Sequence, residues 1–409
     1  MLGNSQQVVA LEQIEKLEFL VGDVSALEEM RSVPVLPVFS EQVICFLDEL
    51  SKILRRNPEV KNYTDVLSWA FWIRRASVEQ EKEHHILWEK RMGRGVAYHI
   101  APSNVPVNFA VSMTSALLAG NACVIRVSNK EFDQVDIICE AIKELLQDKC
   151  KDMKPYLCVV RYEHDAEVTQ SLTDICDVRV IWGGNQTIHR IRQAQLPPRA
   201  IEMAFSDRYS VAVIHADRYL EQDAQKIAKD FYTDTYYSDQ NACSSPRIVI
   251  WLGEKKEEAQ EKFWATLEEM VHQEYRLHPI QVVDKINAFC LFAAENYSHS
   301  DENITGDIRD NYLYRIELSD LSPQIMQYKE GGGYFFEYKA ERLEEIVPIL
   351  GKTCQTVATL GVNRDEVENV VQKFGVRGVD RIVPIGKTME LSFRWDGYDM
   401  IETMSRVVV

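Results

Sequence analysis

No stretch of this 409-residue chain approaches the run of about eighteen apolar residues that a membrane helix needs, so no transmembrane span is expected. The opening segment, "MLGNSQQVVALEQIEKLEFL", lacks a basic region followed by an apolar one, and no signal peptide is expected. Positive charge is in deficit: 46 Lys and Arg stand against 63 Asp and Glu, a net charge of -17. That balance argues against sequence-independent binding to nucleic acid or to an anionic membrane surface. There is no CxxC pair, and nine cysteines are an odd number without regular spacing. Neither a disulfide framework nor a cysteine-based zinc site fits, and a reducing cytoplasm is the expected compartment. Cys45, Cys123, Cys139, Cys158, Cys176 and Cys290 lie in apolar runs and are expected in the core. There is also no G-x-G-x-x-G, no internal repeat and no low-complexity linker.

What is present is a chain 46% hydrophobic and long enough for two domains or one large α/β unit. Residues 1–90 read as mostly helical. Ser40 is placed to cap "EQVICFLDELSKILRR", and a second helical run covers about 64–92. His84 and His85 stand there among glutamates and lysines, on an expected solvated face rather than at a metal. From residue 95 strands and helices alternate. "GVAYHIA", the apolar helix "VNFAVSMTSALLAG" and "ACVIRV" form a βαβ unit, continued by strands near 156–162 and 178–182 and by "AIEMAF" and "SVAVIHA". This rhythm predicts an open, doubly wound parallel sheet. A second α/β system follows, with helices expected at 217–235, 254–275, 284–296, 341–350 and 364–374 and strands near 247–252, 312–317, 333–338 and 355–360. "HSDENITGD" (299–307) and "KEGGG" (329–333) are the most loop-like stretches.

Four places carry chemistry. "IWGGNQTIHRIR" puts Gly183 and Gly184 between a strand and a helix, where a phosphate can approach backbone amides; a plain tight turn reads equally well. In "APSNVPVN", flanking prolines hold Ser103 and Asn104, so the Asn104 amide is either an aimed oxyanion donor or part of an Asx turn or helix cap. Arg126, Ser128 and Lys130 in "VIRVSNK" suit a ribose or its 2'-phosphate, or ordinary strand-end solvation. "DQNACSSPR" sets Cys243 in a polar loop before an apolar strand, with no histidine adjacent to act as its base.

In this order, "HIAPSNVPVNFAVSMTSALLAGNACVIRVSNKEF", "WGGNQTIHRIRQ", "YYSDQNACSSPRIVIWLG" and "GVDRIVPIGKTMELSFRWDGYDMI" resemble the acyl-CoA (acyl-protein thioester) reductases, the family of the fatty acid reductase subunit of bacterial bioluminescence. That family is similar in turn to the aldehyde dehydrogenases. The resemblance covers about 90–409. It implies an aldehyde dehydrogenase-like α/β fold: a mostly helical part at 1–90, a Rossmann-type NADP-binding domain at 91–208, a catalytic domain at 209–380 and a return segment at 381–409 ending in a possible oligomerisation strand. It implies Cys243 as acyl-accepting nucleophile, with Asn104 and the Cys243 amide as oxyanion donors. Ser103, Arg126, Ser128, Lys130, Gly183 and Gly184 then form the cofactor site. Glu202 falls near the superfamily's "ELGG" glutamate, but "EMAFSD" lacks both glycines, so a water-activating role does not carry over. The implied activity is NADPH-dependent reduction of a long-chain acyl-CoA or acyl-protein to the aldehyde, with a partner acyl-protein synthetase and a homo-oligomeric state. A CoA-acylating aldehyde dehydrogenase for shorter chains and a non-catalytic scaffold of this fold are the alternatives.

Overall fold

The computed structural model describes residues 14–85, 87–296 and 306–409; the start of the chain and most of the expected loop at 299–307 lie outside them. The chain forms two compact units, Met1–Ser206 with Leu391–Val409, and Asp207–Glu390. No helix among the described residues is long and apolar enough to cross a membrane.

In the first unit, β1 (Glu18–Val21) leads into α1 (Val24–Met30), α2 (Glu41–Arg56), α3 (Thr64–Trp72) and α4 (Arg75–Lys82). The alternating part then runs β2 (Arg91–Gly93), β3 (Val96–Ile100), α5 (Asn108–Leu118), β4 (Ala122–Arg126), α6 (Asp133–Gln147), β5 (Leu157–Arg161), α7 (Ala166–Asp174), β6 (Val178–Trp182), α8 (Asn185–Ile191) and β7 (Ile201–Phe205). Strand order is β1-β5-β4-β3-β6-β7, parallel throughout except for β1. Every residue of β3, β4 and β6 is buried, as a parallel sheet covered on both faces requires. The sheet grows from β3 in both directions. The loops after β3 and β6 therefore flank a topological switch point at the carboxyl edge, where α/β sheets bind ligands.

The second unit contains β8 (Tyr209–His215), α9 (Ala216–Leu220), α10 (Ala224–Asp234), β9 (Pro246–Leu252), α11 (Lys256–Glu274), α12 (Pro279–Asn296), β10 (Gly306–Asp310), β11 (Leu313–Glu317), β12 (Tyr334–Lys339), β13 (Cys354–Leu360), α13 (Arg364–Phe374) and β14 (Arg381–Pro384). Its order is β10-β11-β12-β9-β8-β13-β14, with β10 alone antiparallel. The return segment adds β15 (Arg394–Trp395), β16 (Tyr398–Asp399), α14 (Met400–Met404) and β17 (Ser405–Val407) to the first unit. There β17 pairs antiparallel with β2, Ser405 opposite Gly93.

Several expectations need correction. The run at 64–92 is two helices and then strand β2, and the helix expected at 217–235 is broken in two. The break follows from Asp223, whose carboxylate caps α10 by accepting from the Gln225 and Lys226 amides. Residues 343–349 form a 3-10 helix with Pro348 inside it, and proline cannot donate the α-helical hydrogen bond. Cys45 and Cys290 are exposed, because both fall on the outer faces of their helices. On α12, Ile280, Val283, Ile286 and Leu291 are exposed as well, so an apolar run did not mean an inward one. His85 is buried, only 3% exposed, rather than solvated.

One buried carboxylate ties the second unit together. Glu337 on β12 accepts through Oε2 from Trp251 Nε1 at 2.9 Å, Gln260 Nε2 at 2.9 Å and Trp264 Nε1 at 2.6 Å, and through Oε1 from Arg315 Nε at 2.9 Å. It thus joins β9, α11 and β11 to one side chain. A buried charge is tolerated when its lone pairs are filled in this way. Glu337→Gln turns one acceptor into a donor facing donors. We expect a loss of about 3 kcal/mol in urea unfolding with an unchanged denaturant slope.

Candidate functional site

Cys243 lies between α10 and β9, half-buried. The backbone leading to it takes an unusual course. Asp239 and Gln240 both have left-handed φ, 53° and 58°, which side-chain-bearing residues adopt at a cost of roughly 1–2 kcal/mol each. Side chains hold them there. Tyr275 Oη donates to Asp239 Oδ1 at 2.6 Å. The Gln240 side chain is wholly buried and fully bonded: Nε2 donates to the carbonyls of Pro246 and Tyr334 at 3.0 and 3.1 Å, and Oε1 accepts the amides of Gly333 and Tyr334 at 3.1 and 3.0 Å. One carboxamide therefore fastens the cysteine loop to the "KEGGG" loop. Gly333, at φ 91°, permits this approach; a Cβ there would stand 2.1 Å from the Tyr312 carbonyl oxygen.

The surroundings of the sulfur favour a negative charge. Gln355 Nε2 donates to Cys243 Sγ at 3.1 Å, while Thr356 Oγ1 donates to Gln355 Oε1 at 3.3 Å, so the amide keeps its N–H side toward sulfur. Ser210 Oγ donates to the Cys243 carbonyl at 2.7 Å and accepts from the Thr356 amide at 3.2 Å. Arg247 is buried and donates to the carbonyls of Gln240 and Glu330. Burial pushes the Arg247 guanidinium down to about 10, opposed by the charges of Glu330 and Cys243. Burial, then repulsion from Arg247, lowers the Lys329 ammonium, and Cys243 again acts in the other direction. Both cations thus gain from a thiolate at Cys243, and by reciprocity the thiolate gains from both. Ser210, Gly333 and Gln355 all stand at the amino ends of parallel strands.

A second tether holds the residue after Cys243. Asp234, at the end of α10, accepts the amides of Gly386 and Thr388 at 2.6 and 3.0 Å, and burial raises its carboxyl to about 6. The segment it anchors carries Met389, whose sulfur accepts from Ser244 Oγ at 3.5 Å. Gln240, Arg247, Lys329 and Gln355 were not singled out from sequence. The available signal was a glutamine and an arginine inside apolar strands, where an unpartnered polar group is costly.

In the first unit, Ser103 and Asn104 are exposed in the loop after β3. Helix α5 starts at Asn108 with Val107 at its cap, so Asn104 does not cap it. Gly183 and Gly184 follow β6, on the other side of the switch point, and Gly184 is the residue preceding α8. Arg126 ends β4 and is buried: Nη2 donates to the Tyr162 carbonyl at 3.2 Å, the guanidinium lies 4.7 Å from the Tyr162 ring centroid, and Nε makes no hydrogen bond among the described residues. Ser128 Oγ accepts from the exposed Lys130's amide at 3.1 Å. A dinucleotide fits this edge: glycine backbone for a phosphate, a buried guanidinium with one N–H unspent, and a switch point between them. Glu202, on β7, is bound by two arginines: Oε2 accepts from Arg179 Nε at 2.9 Å and Oε1 from Arg192 Nε at 2.7 Å.

The Gln355 bond yields a direct test. With Gln355→Leu, alkylation of Cys243 by iodoacetamide at pH 7, followed by peptide mass spectrometry, should slow about tenfold, the loss expected when one hydrogen bond to a charged acceptor is removed. The exposed Cys45 and Cys290 should react as before. An unchanged Cys243 rate would show that the bond does not stabilise the thiolate.

The buttressed Cys243 loop of one α/β unit and the switch-point edge of the other can be set against known proteins. The sequence profile of the family described as Acyl-CoA reductase (LuxC) matches residues 11–407. The long-chain acyl-protein thioester reductase of Aliivibrio fischeri is 23% identical over 325 residues, 78% of this chain and 64% of the relative. That of Photorhabdus laumondii is 26% identical over 336 residues, again 78% and 64%. The chain therefore spans a little under two thirds of the length of these relatives. Among solved structures, an NAD-dependent benzaldehyde dehydrogenase from Corynebacterium glutamicum matches with a TM-score of 0.64 at 15% identity, over 93% of this chain and 86% of that one. The fold is aldehyde dehydrogenase-like, and the match along nearly the whole sequence makes the chain a member of the acyl-CoA reductase (LuxC) family.

Proposed function

We propose that this protein reduces a long-chain fatty acyl thioester, acyl-CoA or acyl-protein, to the fatty aldehyde through an acyl group carried on Cys243. The observation that carries the reading is the half-buried Cys243 sulfur, with the Gln355 amide on it and two cations near enough to feel its charge. The Cys243 thiolate attacks the thioester carbonyl carbon. The oxyanion that forms is the task of the Asn104 carboxamide, assigned through the resemblance of its turn, and of the Cys243 amide. Collapse expels the carrier thiol, which leaves with a proton, and the acyl group stays on Cys243. The field that favours the thiolate as attacking group also favours it as leaving group when the aldehyde departs. Ser103, Arg126, Ser128, Lys130, Gly183 and Gly184 would hold a reduced nicotinamide dinucleotide, which when bound would supply the hydride that takes a thioester to the aldehyde level. NADPH is the form favoured here, for which Arg126 and Lys130 would take the 2'-phosphate. An acyl-protein synthetase as donor and self-association in the cytoplasm belong to the same reading.

Glu202 explains what the reaction avoids. Water would waste the acyl-enzyme by hydrolysis, and a carboxylate able to activate that water would promote it. Both Glu202 oxygens are held by guanidinium groups, and Arg179 is itself buried. Glu202 is better read as the counter-ion of Arg179 than as a base. Glu202→Gln should keep reductase turnover within about threefold, yet cost roughly 3 kcal/mol in urea unfolding because a buried guanidinium loses its counter-charge. A collapse of turnover in the folded variant would restore Glu202 to the mechanism.

The decisive assay is palmitoyl-CoA with NADPH, scored by hexadecanal formation. The wild-type chain should form the aldehyde and take up label from radioactive acyl-CoA, and Cys243→Ala should lose both. A scaffold would show neither in the wild type. A CoA-acylating dehydrogenase would prefer short chains and the oxidative direction.

A further inference from the structure

The first unit contains a second cluster of chemistry-bearing side chains, made by the turn after α4 and the return segment. His85 is 3% exposed, and neither ring nitrogen makes a hydrogen bond among the described residues. Three carboxylates surround it. Asp399 Oδ2 lies 3.5 Å and Glu402 Oε1 3.8 Å from Nδ1, and Glu81 Oε1 lies 3.2 Å from Nε2. Among the described residues Arg394 is the one cation paired with them, Nη1 at 3.2 Å from Glu81 Oε1 and Nε at 3.2 Å from Asp399 Oδ2. The Phe39 ring closes one side of the imidazole at 5.3 Å.

We propose that His85, Asp399 and Glu402 form a binding site for one divalent transition-metal cation of the zinc class, with Glu81 orienting the imidazole from behind. Separations of 3.5 and 3.8 Å are too long for good hydrogen bonds. They are close to the distance of about 3.4 Å between two ligands of a tetrahedral ion with bonds near 2.1 Å. The three ligand atoms lie within 4.8 Å of one another, so a single ion reaches all of them with small side-chain adjustments. The division of labour on each side chain agrees. Asp399 spends Oδ1 on the Glu402 amide at 3.0 Å and shares Oδ2 between the site and Arg394. Glu81 stands where a carboxylate behind a metal-bound histidine stands, on the nitrogen away from the ion.

Charge points the same way. Three carboxylates against one guanidinium leave two negative charges in excess around a half-closed site. A proton on His85 would cancel one of them, and a divalent cation over neutral imidazole cancels both. One nitrogen and two carboxylate oxygens suit zinc or cobalt better than calcium or magnesium, which take all-oxygen shells. Glu402 is 40% exposed at its side chain, which leaves room for a water as fourth ligand. An ion here would staple the turn after α4 to Asp399 and Glu402, and so hold the end of the chain to its N-terminal helices. The inference stands apart from the reductase reading.

The test is Co(II) titration of the tag-free, chelator-treated full chain, followed by visible d–d absorption, with Zn(II) competition and thermal melts. We expect one equivalent at micromolar affinity or tighter, no thiolate charge-transfer band, and a melting temperature raised by a few degrees through binding to the folded state alone. Glu402→Gln, at a partly exposed position, should fold normally and bind at least about tenfold more weakly, as should His85→Gln. Asp310→Asn, in the more exposed Glu268–His272–Asp310 group, should bind like the wild type. Wild-type affinity weaker than about 1 mM, a thiolate band, or undiminished binding by folded Glu402→Gln would overturn the proposal.

Discussion

The second unit's site depends on the carboxamide of Gln240. Two successive residues ahead of Cys243 sit in left-handed backbone, and such a turn persists only where its surroundings over-determine it. Gln240 supplies that determination by filling all four of its hydrogen-bonding positions with backbone groups of β9, β12 and the residue before β12. The cysteine then emerges at the amino edge of the sheet, where the starts of β8 and β13 bring Ser210 and Gln355 onto it.

The electrostatic setting of the thiol follows from the same geometry. A histidine base is not needed if the thiolate is favoured directly by a hydrogen bond and by nearby cations. Arg247 does two jobs in this arrangement. Its guanidinium ties the carbonyls of Gln240 and Glu330, which sets the loops, and its charge acts on the sulfur they present. In the first unit another pairing of arginines is purely structural in its contacts: Arg179 and Arg192 take up both oxygens of Glu202 and hold that carboxylate in the scaffold.

Most of the fold was legible in sequence because burial imposes a period. Strands such as β6 and helices such as α11 and α13 fall where the apolar rhythm predicts them, since a covered parallel sheet demands unbroken apolar runs and its helices demand one apolar stripe. The misplacements share a cause. Cys45, Cys290 and His85 sit at positions where local composition suggested one environment and the packing of distant segments supplied another. His85 is buried by residues of the return segment, more than three hundred positions away in sequence.

Sequence alone settled the α/β class, the parallel first sheet and the polar loop that carries Cys243, because these depend on periodicity and on turn chemistry within a few residues. Tertiary structure alone decided which groups surround that sulfur. Gln355 lies 112 positions from Cys243, and the side chains that bury Glu337 or flank His85 come from equally separate elements. A hydrogen bond acts over about 3 Å whatever the chain separation, so its partners are fixed by strand order and register, which no local pattern encodes.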